Sequence, residues 1–210
     1  MPRAAPPPPA SRAPGARLEA LAAAARGCIA CPLFERGTQT VFGEGPSTAR
    51  MLLVGEPPGD AEDLAGRPFV GPAGKLLDRA LVAAGIERDR VYVTNAVKHF
   101  KWVPRGKRRI HSKPNAMEIQ ACFPWLEAEI AAIKPQVVVA LGATAAQALL
   151  GRSFRVTKQR GVPATSALAV QVVATVHPSA LLRAPDEATR RAETERFIAD
   201  LRAAAGLLRR

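Results

Sequence analysis

Between His99 and Cys122 the chain holds its densest set of groups able to do chemistry. Arg105, Lys107, Arg108 and Arg109 put four cations around Gly106, and His111 closes the run with an imidazole. Cations in such a run neutralise phosphates, while a neutral imidazole is a nucleophile or a base. His99 stands before the run and Cys122 after it; the other cysteines, Cys28 and Cys31, form a C-x-x-C pair near the N-terminus. Three cysteines and a histidine suit structural zinc as well as iron–sulfur ligation, and unrelated buried cysteines give the same count. Our reading of these residues is that an inorganic centre pins both roots of a basic loop and so holds His111 at a reactive site.

Other reactive groups sit in short motifs. The stretch Glu56–Gly74 is polar and rich in glycine, with Phe69 available to stack on a flat ligand. It fits neither G-x-x-x-x-G-K-[ST] nor G-x-G-x-x-G, which argues against a nucleoside triphosphate or a dinucleotide. Asn95 offers an amide donor and acceptor, suited to the edge of a base that has left its stack, although a turn asparagine reads the same way. His177-Pro-Ser-Ala-Leu-Leu-Arg183 joins an imidazole to two leucines and an arginine, and leucines on an exposed loop can wedge into a duplex.

The elements that must position these groups follow from periodicity. Leu18, Leu21, Ala22 and Ala25 recur at helical spacing and predict a helix over 17–26 that delivers the C-x-x-C pair. Short apolar runs predict strands at 50–54, 91–94, 136–141 and 170–176. Helices are expected at 75–84, after the Asn115-x-x-Glu118 capping box, at 142–151 and from Asp186 on. In the helix after the box, Ile119, Cys122, Phe123, Leu126, Ile130 and Ile133 share a face, and Pro124 should kink it or mark a new start. Strands alternating with helices imply a three-layer α/β/α sandwich with a central four-stranded parallel sheet. Glu56, Asn95, Gly142 and His177 then all follow strands, where an open α/β sheet binds its ligands.

Bulk composition narrows the setting. The chain has 210 residues, 48% of them apolar, enough for one domain, taken as 17–210 behind a disordered Pro/Ala-rich lead at 1–16. The lead lacks the apolar core of a signal peptide and no run is long enough to span a membrane, so a cytoplasmic protein is expected. An odd cysteine count argues against a disulfide framework. The net charge of +12 favours a polyanion, nucleic acid first and anionic membrane second.

Taken together, Gly55-Glu-x-Pro-Gly-Asp60, Gly66-Arg-Pro-Phe-Val-Gly-Pro-Ala-Gly74, Thr94-Asn-Ala-Val-Lys98 and His177-Pro-Ser-Ala-Leu-Leu182 resemble the motifs of the uracil-DNA glycosylase superfamily, in its iron–sulfur branch. Lys98-His-Phe-Lys-Trp102 and Lys107-Arg-Arg-Ile-His111 resemble the UdgX class, which stays covalently attached to DNA after removing uracil. The resemblance runs from about Cys28 to the last helix. It implies a 4Fe-4S cluster on Cys28, Cys31, His99 and Cys122, with His99 where the ordinary branch has cysteine. It implies uracil held by Gly55, Phe69, Asn95 and His177, and chemistry by His111, Glu56, Asp60 and His177. Lys107, Arg108, Arg109, Ser179, Leu181 and Arg183 would contact DNA, and Lys107 to Arg109 should lower the pKa of His111. The implied partner is uracil-containing DNA, single strands accepted, with a monomer and no protein or membrane partner expected. Where the class has Gln after Glu56 this chain has Pro57, so any contact made by that side chain is absent. The rival readings are a multiple-turnover iron–sulfur glycosylase and a nucleic-acid-binding protein without enzyme activity.

Overall fold

A computed structural model describes residues 14–168 and 170–208. Most of the expected lead, through residue 13, lies outside them; from Pro14 on the chain is already helical, so α1 spans Pro14–Ala25. There follow a 3-10 turn at Pro32–Glu35, β1 (Met51–Gly55), α2 (Asp60–Ala65), α3 (Pro72–Ala83) and β2 (Val91–Asn95). β3 (Trp102–Arg105) and β4 (Arg108–His111) come next, then α4 (Ala116–Ile133), β5 (Val137–Leu141), α5 (Ala143–Leu150) and α6 (Val156–Gln159). The chain ends with β6 (Pro163–Thr165), β7 (Gln171–Thr175), α7 (Pro178–Leu182) and α8 (Glu187–Ala205).

The sheet runs β2-β1-β5-β7-β6, with β2, β1, β5 and β7 parallel as expected. It has a fifth strand, which corrects the expected four: β6 pairs antiparallel on the edge, Ala164 opposite Val172. Only three residues long and opened by a proline, β6 carries too little alternation to be read from sequence.

Both faces of the sheet are covered, which is why β1, β2 and β5 are fully buried and apolar but for Thr94 and Asn95 at the end of β2. Alternate side chains part company along each strand. Leu52, Val54, Val138 and Ala140 pack with Leu126 and Ile130 of α4 and Ala145 of α5. Met51, Leu53, Val137 and Val139 pack with Leu77 and Leu81 of α3 and Phe197 and Leu201 of α8. A third, smaller cluster joins α1 to α4 and contains Cys28, Cys31, Cys122 and Trp125. α4 therefore has two apolar flanks, one toward the sheet and one toward the cysteines. Its capping box forms on both sides, with Asn115 Oδ1 accepting from the Glu118 N–H and Glu118 Oε2 from the Asn115 N–H. The helix then runs on through Pro124 without a fresh start. No helix among the described residues is long and apolar enough to cross a membrane.

Candidate active site

The basic loop is a β-hairpin. β3 and β4 pair antiparallel, with Trp102 opposite His111 and Arg105 opposite Arg108, and Gly106 turns between them at φ +60°. Three tethers hold the hairpin to the domain. At its base, Lys101 Nζ lies 2.9 Å from Glu118, the carboxylate that also caps α4. The Trp102 indole N–H donates to the Arg36 carbonyl at 2.8 Å. On β4, Arg109 Nε meets Asp60 at 2.6 Å and its Nη1 meets Asp63 at 2.7 Å. Asp63 is wholly buried, and the backbone N–H and hydroxyl of Thr38 donate to it as well.

These ion pairs give Arg109 a different place from Lys107 and Arg108. Its guanidinium is engaged by two carboxylates and lies near the faces of Phe100 and Trp102, at 5.3 and 5.7 Å. Lys107 and Arg108 are exposed and make no ion pair among the described residues. Asp60, expected beside a sugar, has its carboxylate on Arg109.

His111, at the end of β4, has its ring 6.1 Å from that of Phe100. It is exposed, yet the protein packed round it lowers its pKa by desolvation; Glu56 pulls upward, Arg183 downward and Glu62 upward. The direction agrees with expectation and the cause does not. Lys107 to Arg109 are not among the charges acting on the ring, and Arg109 is neutralised by its two aspartates.

His177 leaves β7 and caps α7. Its Nδ1 accepts from the Ser179 N–H at 3.2 Å, and Ser179 Oγ stands 2.8 Å from the same nitrogen. A lone pair on Nδ1 leaves Nε2 as the N–H of the neutral ring. Desolvation holds the pKa at about 4, against an upward pull from Glu56 and with downward pushes from His111 and Arg183. His177 is therefore a neutral donor at physiological pH, with Glu56, His111 and Arg183 around it.

Glu56 leaves β1, and its Oε1 accepts from the Thr144 N–H at 3.0 Å, at the start of α5. Gly142 makes room: a Cβ there would stand 2.6 Å from Glu56 Oε1 and 3.0 Å from the Cβ of His177. On the neighbouring strand ends Gly55 pairs with Asn95, and a Cβ on Gly55 would lie 2.3 Å from Asn95 Oδ1 and 2.7 Å from Phe69 Cζ. Phe69 stacks toward His177 with ring centroids 6.0 Å apart. Its backbone is in the left-handed region at φ +57°, uncommon for an aromatic residue. The carbonyl of Phe69 sits where a Cβ of residue 74 would be, 1.7 Å away, so Gly74 is what admits this turn.

The strand ends and the hairpin thus bring Gly55, Glu56, Phe69, Asn95, His111 and His177 to one place, with Arg183 exposed beside it. Leu181 corrects an expectation: it is 2% exposed and packs with the core on the α8 side, so it cannot wedge into DNA, whereas Leu182 beside it is 40% exposed. Asp63, Thr38 and Glu62, which fix the hairpin and the glycine-rich turn, were not singled out from sequence. Glu62 and Asp63 lie on the short helix α2, hidden in what reads as a loop, and Thr38 lies in the irregular stretch before β1. Glu62 accepts from the Gly59 and Gly71 N–H groups and so joins both ends of that turn.

Behind the pocket, Cys28, Cys31, His99 and Cys122 are all buried. The sulfurs are near enough for Cys28 and Cys31 to act on Cys122 electrostatically. The Trp125 indole N–H donates to Cys28 Sγ at 3.2 Å and the Lys98 N–H to Cys122 Sγ at 3.1 Å. Two N–H donors aimed at sulfur suit thiolate ligands. Among the described residues no three His, Cys, Asp or Glu side chains converge to hold a single ion. Lys98 itself is buried and links this region to the pocket, with Nζ against Glu129 at 2.5 Å, Thr94 Oγ1 at 2.6 Å and the Asn95 carbonyl at 2.8 Å.

Comparison with known proteins agrees with this geometry. A family model described as the uracil DNA glycosylase superfamily matches residues 42–202. A type-4 uracil-DNA glycosylase of Thermotoga maritima is 45% identical over 157 residues, 74% of this chain and 78% of the relative. One from Pyrobaculum aerophilum is 38% identical over 167 residues, 76% and 82%. A type-5 uracil-DNA glycosylase of the same organism is 34% identical over 155 residues, 65% and 64%.

Proposed function

The chain belongs to the uracil DNA glycosylase superfamily, and from that premise we propose that it excises uracil from DNA once and stays joined to the sugar through His111. The observation that carries the covalent reading is the company of His111: a tethered hairpin holds it within electrostatic reach of His177 and Glu56.

Uracil first leaves the helix stack, at a cost of a few kcal/mol. It enters between the Phe69 ring and the Asn95 amide, over Gly55. As the bond from the sugar C1′ to uracil N1 breaks, its electron pair departs with the base. The Nε2–H of His177 donates to the uracil oxygen on which charge gathers, an interaction strongest in the transition state. Glu56 faces the positive charge left on the sugar. The unprotonated ring nitrogen of His111 then bonds to C1′, giving an alkylated imidazolium. Loss of its remaining N–H proton leaves a neutral alkylimidazole, and the uracil anion takes a proton from water. Lys107, Arg108 and Arg183 bind phosphates; Arg109 holds the hairpin.

Cys28, Cys31, His99 and Cys122 would hold a 4Fe-4S cluster, whose part is structural. The donor set and the N–H groups of Trp125 and Lys98 aimed at Cys28 Sγ and Cys122 Sγ suit thiolate ligation of such a cluster. Brown protein with visible absorbance is the expected result, and colourless protein purified without air would refute it. The covalent step is tested by mixing protein with uracil-containing single-stranded DNA and denaturing. Wild type should give a complex that survives, and His111→Ala should give none. Free uracil in many-fold excess over protein, with no surviving complex, would identify a turnover enzyme instead.

A further inference from the structure

Hydrogen bonds around one carbonyl decide which nitrogen of His99 carries a proton. The Ala25 C=O, at the end of α1, accepts twice: from the Cys28 N–H at 3.1 Å and from Thr40 Oγ1 at 2.8 Å. A carbonyl has no proton to give, so the single hydroxyl proton of Thr40 lies on the line to Ala25. Thr40 Oγ1 also stands 3.1 Å from His99 Nε2. With its proton committed, that oxygen can only accept, and Nε2 must be an N–H. A ring that ligates a metal needs a lone pair, and with Nε2 protonated the lone pair is on Nδ1.

We propose that His99 binds the cluster through Nδ1, and that Thr40 is the positioning residue that selects this tautomer and aims the ring. The inference rests on the reading of His99 as a ligand. Under it the Ala25 carbonyl serves two ligands at once, Cys28 directly and His99 through Thr40. The arrangement matches a general habit of metal-bound histidines, which donate the other ring N–H to a fixed oxygen. The Thr40 hydroxyl is half-buried and the His99 ring 5% exposed, so water does not readily replace the contact.

The test uses the intact protein grown on histidine labelled with 15N at Nδ1 alone, with the cluster brought to a paramagnetic state by reduction or oxidation. Electron–nuclear double resonance should show the strongly coupled nitrogen as 15N. A strong 14N coupling with only a weak, remote 15N would place ligation at Nε2 and overturn the proposal. No histidine coupling at all would instead remove His99 from the ligand set. Alongside, Thr40→Val keeps the shape and removes the oxygen, while Thr40→Ser keeps it. Iron loss to a chelator should be on the order of 10–100-fold faster in Thr40→Val and near wild type in Thr40→Ser. Equal loss from all three proteins, with the nitrogen coupling unchanged in Thr40→Val, would show that Thr40 selects nothing.

Discussion

Two histidines with lowered pKa values give the residue scale its pH dependence. His111 must be neutral to attack, whereas His177 keeps its Nε2–H in either state and on protonation loses only the Nδ1 lone pair that accepts from the Ser179 N–H. An ordinary histidine titrates near 6.5, and burial lowers both, His177 to about 4. Because protonation removes the attacking lone pair of His111, whose pKa burial lowers, adduct formation should hold its rate as pH falls past about 6.5 and decline only in more acid solution; a rate that halves near 6.5 would contradict the burial argument. The same shifts make the unfolded chain the better proton acceptor in that window, so stability should fall as pH drops from 6.5 toward 4. Gly55 supplies a second check. In Gly55→Ala the new methyl meets the Asn95 amide and the Phe69 ring, and a displacement of this size in a preorganised site costs about 100-fold in rate. Single-turnover rates on uracil-DNA should show that loss, with a melting temperature lowered by a few degrees for the overpacking of a buried position.

The hairpin is the element that separates this pocket from a bare strand-end site, and Arg109 is its principal tether. Replacing the Arg109–Asp63 pair by Met and Asn avoids leaving a buried carboxylate unpaired. Adduct formation in that double variant should drop at least tenfold, and amide exchange should quicken in residues 102–111 while the sheet keeps its protection. Exchange unchanged in the hairpin would mean that the ion pairs do not hold it. Lys107 and Arg108 serve the other purpose. With His111→Ala as background, so that only reversible binding is read, each further change to Ala should reduce the salt slope on single-stranded DNA by about 0.7. At this scale the sequence is legible where periodicity is strong. The four parallel strands, α4 with its cap and α8 from Asp186 are where short apolar runs, helical spacing and capping put them. α2 was hidden because six residues between glycines show no period, and the hairpin because its residues are charged on both sides of Gly106.

Across the whole molecule, one buried ion pair joins the cysteine region to the pocket. Lys98 and Glu129 are at most 1% exposed, and Tyr92, Thr94 and the Gly43 N–H donate to the same carboxylate. Removing one partner of such a pair costs roughly 3–5 kcal/mol, so Glu129→Gln should lower the melting temperature by about 10 °C, against a degree or two for Asp78→Asn at the exposed Arg88 pair. Equal shifts would deny Lys98 and Glu129 their place in the core. Neither Glu129 nor Thr40 was legible in the sequence, since a lone polar residue on a helix or loop announces nothing until its partners, distant in the chain, are assembled around it. Glu56, Asn95 and His177 were legible because each sits at the end of a parallel strand, where the topology collects them, whereas Phe69 and His111 were legible only from the motifs around them.

The covalent bond itself is the most direct test of the account. Protein joined to uracil-derived DNA is digested with nuclease and protease, and the peptide carrying the deoxyribose remnant is sequenced by tandem mass spectrometry. The remnant should lie on His111, one per chain, with one uracil released per adduct. A remnant on any other side chain, or uracil released without one, would contradict the assignment of His111 as the nucleophile.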